Sequence, residues 1–269
     1  TSRSIRDRLH QELKTNVALK VEDTDNPDKF RISGRGELHL SILIENMRRE
    51  GFEMGVSSPE VITKNIDNVK KEPYENVTID VEELHQGKVM EKMGERKAQL
   101  SDMVPDGKGR VRLDYNMTSR GLIGFRNQFL TETRGAGIMN TLFDSYQEWF
   151  GDMPQRTSGV LVADRDGKVT SYASLAMADR GVLFVPPGTM VYKGMIVGER
   201  NNDGDLVVNI TKEKKLTNHR ASGSDDTIPL RPPQLMSLDQ CLEFISDDEF
   251  VEVTPETIRL RKSDLNVKT

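Results

Sequence analysis

The sequence predicts an α+β chain in three parts: two split βαββαβ sandwiches, the first lacking its opening strand, then a mostly β C-terminal domain with one capped helix. Three observations carry this expectation. Before Trp149, apolar residues at helical and at alternating spacing follow one another in the same order twice. Past Pro154, short apolar runs stand between turn segments instead. Near the end, Ser237 and Gln240 have the spacing of a capping box in front of a last helical stripe.

In the first part, Ile5, Leu9 and Leu13 recur every four residues among charges, as on an amphipathic helix. Leu19 and Val21 then alternate with Lys20 and Glu22, and after the turn Asn26-Pro27-Asp28, Phe30 and Ile32 alternate with Arg31 and Ser33. Leu40, Leu43, Ile44 and Met47 form a second helical stripe that stops near Gly51. A short strand, Phe52 to Val56, precedes Ser57-Ser58-Pro59. The order is helix, strand, strand, helix, strand, which assigns residues 1–64 to a truncated unit whose natural N-terminus is expected upstream.

The second part, residues 69–152, has the same order with a strand in front. Val77, Ile79 and Val81 alternate with polar residues, and a helix with Val89 and Met93 on one face follows around Gly87–Lys97. A strand around Leu100 leads to the turn Pro105-Asp106-Gly107-Lys108-Gly109. Val111, Leu113, Tyr115 and Met117 give the clearest strand of the chain. Leu122, Phe125 and Phe129 mark a second helix, and Ile138 to Trp149 a last strand. This is the ferredoxin-like βαββαβ pattern, with two helices over one face of a four-stranded sheet.

In the third part, residues 153–269, the turns are Asp164-Arg165-Asp166-Gly167, Pro186-Pro187-Gly188 and Asn201-Asn202-Asp203-Gly204. Leu238, Cys241, Leu242 and Ile245 share the stripe of the capped helix, and Ile258 to Lys262 reads as a final strand. Cys241 on that stripe reads as core. A reactive thiol needs an electropositive setting, and acidic Asp239 and Glu243 stand beside it. Asp247-Asp248-Glu249 reads as a solvated helix end.

Composition bounds the function. Of 269 residues, 35% are apolar and 30% charged, enough for several thin cores instead of one thick one. No run approaches the roughly 18 apolar residues of a membrane helix, and the charged opening has no signal-peptide apolar region. One cysteine excludes a disulfide framework. A cytoplasmic monomer without membrane contact is the expectation. The net charge of −5 argues against a chain basic throughout, but leaves a local basic segment open.

Chemistry is sparse. No GxxxxGK[ST] phosphate loop occurs: Gly87-Lys88, Gly107-Lys108 and Gly167-Lys168 are followed by Val, Gly and Val. Asp164-Arg165-Asp166-Gly167 matches the DxxG of GTPases, yet Asp and Gly are also what a hairpin turn requires. Gly34-Arg35-Gly36 and Gly135-Ala136-Gly137 lack the third glycine of a dinucleotide loop. The four histidines lie far apart and none has zinc spacing. His39 reads as a packed, hydrogen-bonded histidine. No nucleophile beside a base is recognisable, so no catalytic, metal or cofactor-binding residue is assigned.

One segment stands out. From Thr211 to Ser222, four cations (Lys212, Lys214, Lys215 and Arg220) face one acid, Glu213, inside an acidic chain. Such cations neutralise phosphates, and Thr217, Asn218 and Ser222 can bond sugar or base edges. A solvated surface loop is the competing explanation, and the lack of aromatics argues against a stacking platform within the loop.

Ser33-Gly34-Arg35-Gly36-Glu37-Leu38-His39-Leu40 resembles a segment shared by translational GTPases in their third domain. Ser119-Arg120-Gly121-Leu122-Ile123-Gly124-Phe125-Arg126, Thr133-Arg134-Gly135-Ala136-Gly137, Gly151-Asp152-Met153 and Lys215-Leu216-Thr217-Asn218-His219-Arg220-Ala221-Ser222 resemble the BipA/TypA family specifically. The resemblance covers essentially the whole chain. It implies that residues 1–64 resemble domain III of elongation factor G, 69–152 its domain V, and 153–269 the C-terminal domain peculiar to BipA. It further implies binding to the ribosome (70S or large subunit), with contacts to 23S rRNA and to the acceptor end of A-site tRNA. Roles in large-subunit assembly and in growth under cold or stress belong to the same family. GTP and Mg2+ belong to the family's N-terminal GTPase domain, whose motifs this sequence lacks, so hydrolysis is not carried over. By residue type, the RNA contacts fall on Lys212, Lys214, Lys215, Asn218 and Arg220, with Arg120 and Arg126 as further candidates for ribosomal RNA. A protein-binding scaffold or a small-ligand-sensing ferredoxin-like module without RNA binding remains the alternative.

Overall fold

The structure, a computed structural model, describes residues 1–151, 153, 156, 158–214 and 230–266. The chain opens with α1 (Ser2–Leu13), β1 (Lys20–Asp23), β2 (Phe30–Ser33), α2 (Glu37–Arg49) and β3 (Met54–Ser57). The middle runs β4 (Lys64–Ile66), β5 (Val69–Glu82), α3 (Glu83–Glu95), β6 (Gln99–Pro105), β7 (Arg110–Thr118), α4 (Ser119–Leu122), α5 (Phe125–Glu132) and β8 (Ile138–Glu148). Then come β9 (Val160–Ala163), β10 (Gly167–Lys168), α6 (Ser171–Met177), β11 (Gly181–Leu183), β12 (Met190–Val191), β13 (Met195–Arg200) and β14 (Leu206–Val208). The last elements are α7 (Leu238–Phe244), β15 (Glu249–Val253) and β16 (Ile258–Lys262). They fall into two compact units: Pro59–Gln155, and Thr1–Ser58 together with Arg156–Thr269.

The middle unit is a mixed α+β sandwich. Strand β5 pairs antiparallel with β7 and β8, and β7 with β6, giving the order β8-β5-β7-β6. Alternation decides what each face holds. Val77, Ile79, Val81, Val111, Leu113 and Tyr115 turn inward and pack with Val89 and Met93 of α3 and Phe125 and Phe129 of α5. Residues between them form polar cross-strand pairs: Thr78 Oγ1 donates to Asp114 at 2.6 Å, and Asn116 Nδ2 to Asn76 Oδ1 at 2.9 Å. The second helix comes in two pieces because Gly124 sits at φ 74 between them. A hairpin not expected from the sequence extends β5 backwards. Asp67 and Asn68, at φ 55 and 60, turn β4 onto it, as a two-residue type I′ connection requires.

The first five elements form as the periodicity predicts, but they do not close on themselves. Leu9, Leu19, Leu43 and Met47 make a small core against the β1–β2 hairpin. Strand β3 leaves that hairpin and pairs with β15, Met54 opposite Val253 and Val56 opposite Val251. It becomes the edge of a seven-stranded sheet ordered β14-β9-β13-β16-β15-β3, with β11 also on β13. Helix α2 is shared: Leu43 and Met47 face the small core, while Ile44 packs with Leu238, Cys241, Leu242 and Val251. Where the sequence suggests three bodies, backbone pairing thus groups the first segment with the last. The physical reason is that β3, with no strand between it and β2, satisfies its N–H and C=O groups on β15.

Among the described residues the last segment has two helices, which corrects the expectation of one. Helix α7 is closed by the foreseen capping box, Gln240 N–H to Ser237 Oγ and Ser237 N–H to Gln240 Oε1. Helix α6 begins at Thr170, whose Oγ1 accepts the Ala173 N–H at 3.1 Å. Glu249 also departs from expectation: it is fully buried. Its carboxylate accepts from Arg156 at 2.8 and 3.1 Å, from Lys262 Nζ at 3.0 Å and from the Ser246 N–H at 3.0 Å. A buried carboxylate persists only with such partners.

Candidate nucleic-acid interface

The cationic segment leaves the sheet after β14 and is tied down at its root. Buried Ile210 gives its carbonyl to the Thr170 N–H at 3.2 Å. Asn209 Oδ1 accepts the Thr211 N–H at 3.1 Å and its hydroxyl at 3.0 Å. Thr170 Oγ1 in turn donates to the Lys212 carbonyl at 2.6 Å. Thr211 lies against Gly167, where a Cβ would come within 2.8 Å of its methyl group. The glycine of the Asp164–Gly167 turn therefore lets the loop root approach β10. Asp166 Oδ1 accepts the Lys193 N–H at 2.8 Å and Asp164 pairs with Arg165 at 2.7 Å, so both carboxylates are engaged in turn geometry.

Lys212 and Lys214 are exposed at this root. Lys215, Asn218 and Arg220 lie outside the described residues. The same bond joins the backbone at the root of the loop to the turn that opens α6. Lys168, two residues before Thr170, and Tyr172, two residues after it, are both exposed. The sequence signal for Lys168 was present, but Gly167-Lys168 was weighed only as a failed phosphate loop. Tyr172 had no signal, because nothing local ties residue 172 to residue 212.

The two middle-unit arginines differ. Arg120 is held by fully buried Glu72, Nε to Oε2 at 2.5 Å and Nη2 to Oε1 at 3.0 Å, and also donates to the Gly151 carbonyl. Its guanidinium lies 3.8 Å from the Trp149 ring centre, with Lys70 also 3.6 Å from that centre. Arg126 is exposed on α5, and Arg134 is exposed just past that helix, with partly exposed Leu130 between them in sequence.

Other candidates resolve into structure. His39 Nδ1 accepts the Arg35 N–H at 3.2 Å and Nε2 lies 2.8 Å from the Asn16 amide, so the imidazole braces the turn into α2. Cys241 is 4% exposed, and burial pushes its thiol up to about 12. Among the described residues, no group of three or more His, Cys, Asp or Glu could hold a metal ion, and no helix is long and apolar enough to cross a membrane.

Residues 69–157 match the family model for the elongation factor G C-terminus, and residues 158–267 that for the TypA/BipA C-terminal domain. The chain is 58% identical over 266 residues to the large ribosomal subunit assembly factor BipA of Salmonella typhimurium, covering 98% of this chain and 44% of that protein. It is 57% identical to the same factor of Escherichia coli K12, again over 98% of this chain and 44% of that protein. For the Bacillus subtilis factor the identity is 55%, over 99% of this chain and 44% of the relative. The chain belongs to the BipA/TypA family and corresponds to its C-terminal portion. It spans less than half the length of these curated relatives.

Proposed function

We propose that this chain is the ribosome-binding, RNA-contacting portion of a GTP-dependent translation or ribosome-assembly factor acting in the cytoplasm. The loop beginning at Thr211 carries its cations to 23S rRNA or to the acceptor end of A-site tRNA. The observation that supports this most is the pinned root. Thr170 fixes the Lys212 backbone, and Lys168, Lys212 and Lys214, all exposed, lie within two residues of the bonded pair in sequence. Cations on a fixed backbone lose less freedom on meeting phosphate than cations on an untethered chain. The relatives' shared name points to the large subunit. Lys215, Asn218 and Arg220 extend the contact along the loop, and Arg126 provides a separate one from α5. Arg120, engaged by Glu72 and Trp149, acts on RNA through its field more than by contact. Nucleotide hydrolysis belongs to the rest of the parent protein.

Co-sedimentation with ribosomes across a salt series tests this. Each contact to single-stranded RNA steepens log K against log salt by about 0.7 units. Replacing Lys212, Lys214, Lys215 and Arg220 with alanine should weaken binding and flatten the slope by up to about 3 units. An unchanged slope refutes the assignment. Binding to ribosomal protein but not to naked RNA would favour the scaffold alternative.

A further inference from the structure

Lys64-Asn65-Ile66-Asp67-Asn68-Val69-Lys70-Lys71 holds three cations and one acid in a chain of net charge −5. The segment folds into the β4–β5 ribbon, whose turn at Asp67 and Asn68 brings Lys64 directly opposite Lys71. Like charges directly opposite on a ladder repel. The protein leaves them unneutralised: among the described residues, Lys64, Lys70 and Lys71 form no ion pair, although Glu148 stands opposite Lys71 on β8. Two of the three rest on aromatic rings instead. Lys64 Nζ lies 4.1 Å from the Tyr146 ring centre, and Lys70 Nζ 3.6 Å from that of Trp149. Tyr146 is packed in turn on Phe143, ring centres 5.7 Å apart, and Trp149 also carries the Arg120 guanidinium. The Trp149 N–H donates to the Lys70 carbonyl at 3.0 Å, so ring and lysine stand on joined backbones. A ring face attracts an ammonium without cancelling its charge. An ammonium has three donors, and those turned away from the ring stay available.

We infer that the β4–β5 ribbon is a second RNA-contacting surface, where Lys64, Lys70 and Lys71 neutralise backbone phosphates. The inference rests on the RNA-contacting role proposed above and adds a site in the other compact unit, on residues outside the loop. A polyanion is the partner that fits, because it sets negative charge beside each of the opposed lysines at once. Phosphates suit the compact ammonium groups of Lys64 and Lys70, which are exposed. Cations already ordered on rings lose less freedom on meeting them. The contact follows the backbone and carries no sequence preference. Tyr146 and Trp149 hold cations here, so their part is to position lysines, not to stack on bases.

The test is binding of this chain to oligouridylate across a salt series, with the emission of Trp149, the single tryptophan, as a second readout. Combining Lys64→Ala, Lys70→Ala and Lys71→Ala should flatten log K against log salt by up to about 2 units. Combining Lys64→Arg, Lys70→Arg and Lys71→Arg should keep the wild-type slope. RNA should change the Trp149 emission, since Lys70 lies on its ring, and the quadruple loop variant should keep that change. An unchanged slope in the alanine variant overturns the ribbon while leaving the cationic loop standing. So does RNA binding that leaves Trp149 emission unaltered. A slope equally flattened in the arginine variant also overturns it, because the effect then does not follow charge. Polyglutamate binding as tight as that of oligouridylate, and lost in the alanine variant, would assign the ribbon to an acidic protein and overturn the RNA reading. If wild type shows no salt-dependent RNA binding at all, the underlying RNA-contacting role fails and the ribbon with it.

Discussion

Arg120 and Glu72 form a two-point ion pair in which the carboxylate is fully buried, with the Trp149 ring stacked against the guanidinium. Glu72 also accepts the Phe150 N–H at 2.8 Å, so one carboxylate ties β5, the start of α4 and the chain leaving β8. Removing one partner of a buried pair strands the other charge away from water. Arg120→Ala should therefore cost about 3–5 kcal/mol, read from the urea midpoint. Trp149 is the single tryptophan of the chain and reports that transition by fluorescence. A loss below about 1 kcal/mol would mean that the pair behaves as a surface contact.

Glu45 lies one turn from both Arg48 and Arg49, and its hydrogen bonds to them lower its carboxyl from the usual 4.5 to about 2. A depressed folded pKa stabilises above the unfolded pKa, and that contribution disappears as pH falls through the folded one. The window is therefore pH 5 down to about 2. Water screens these surface pairs, so Glu45→Gln should cost only about 0.5–1 kcal/mol at pH 7 and nothing at the bottom of that window. Unfolding curves of wild type and variant at both ends check the sign. A constant difference across pH would exclude the ion pairs as its cause.

The Cys241 thiol, raised from 9.0 to about 12, should resist thiol reagents in the folded protein. Its thiolate fraction at neutral pH is roughly a thousandfold below that of an ordinary cysteine, before burial slows access further. Labelling followed by mass spectrometry should be complete in urea and negligible in buffer. Rapid native labelling would show that α7 opens readily.

Calorimetry with GTP should give no binding, because no segment of the chain has the phosphate loop and its following hydroxyl. Micromolar affinity would refute this.

What was legible in the sequence was local. Helix α7 announced itself through Ser237 and Gln240, and β7 through four alternating apolar residues, because cap and pleat act over three or four positions. The partner of β3 was not legible, since Met54 and Val56 say that a strand exists without saying which edge it joins. Helix α6 was missed because seven residues give too short a stripe for periodicity, although Thr170 was a usable cap signal. Glu249 was misread for a related reason: a run of three acids looks solvated until Lys262 arrives across the following hairpin and Arg156 from far upstream in the chain. The loop cations were visible as composition, whereas the bond that ties the loop root to Thr170 joins residues about forty apart and left no local trace.

The pairing of β3 with β15 also sets a timetable for synthesis. Met54 must wait for Val253, nearly two hundred residues later, before its backbone finds a partner. At about 5–20 residues per second, that interval is roughly 10–40 seconds. The middle unit, contiguous in sequence, can collapse as soon as it emerges. The opening segment meanwhile waits with Ile44 and one side of β3 uncovered, like a clasp whose other half has not yet been made. A stretch made nearly two hundred residues later thus completes this earlier one.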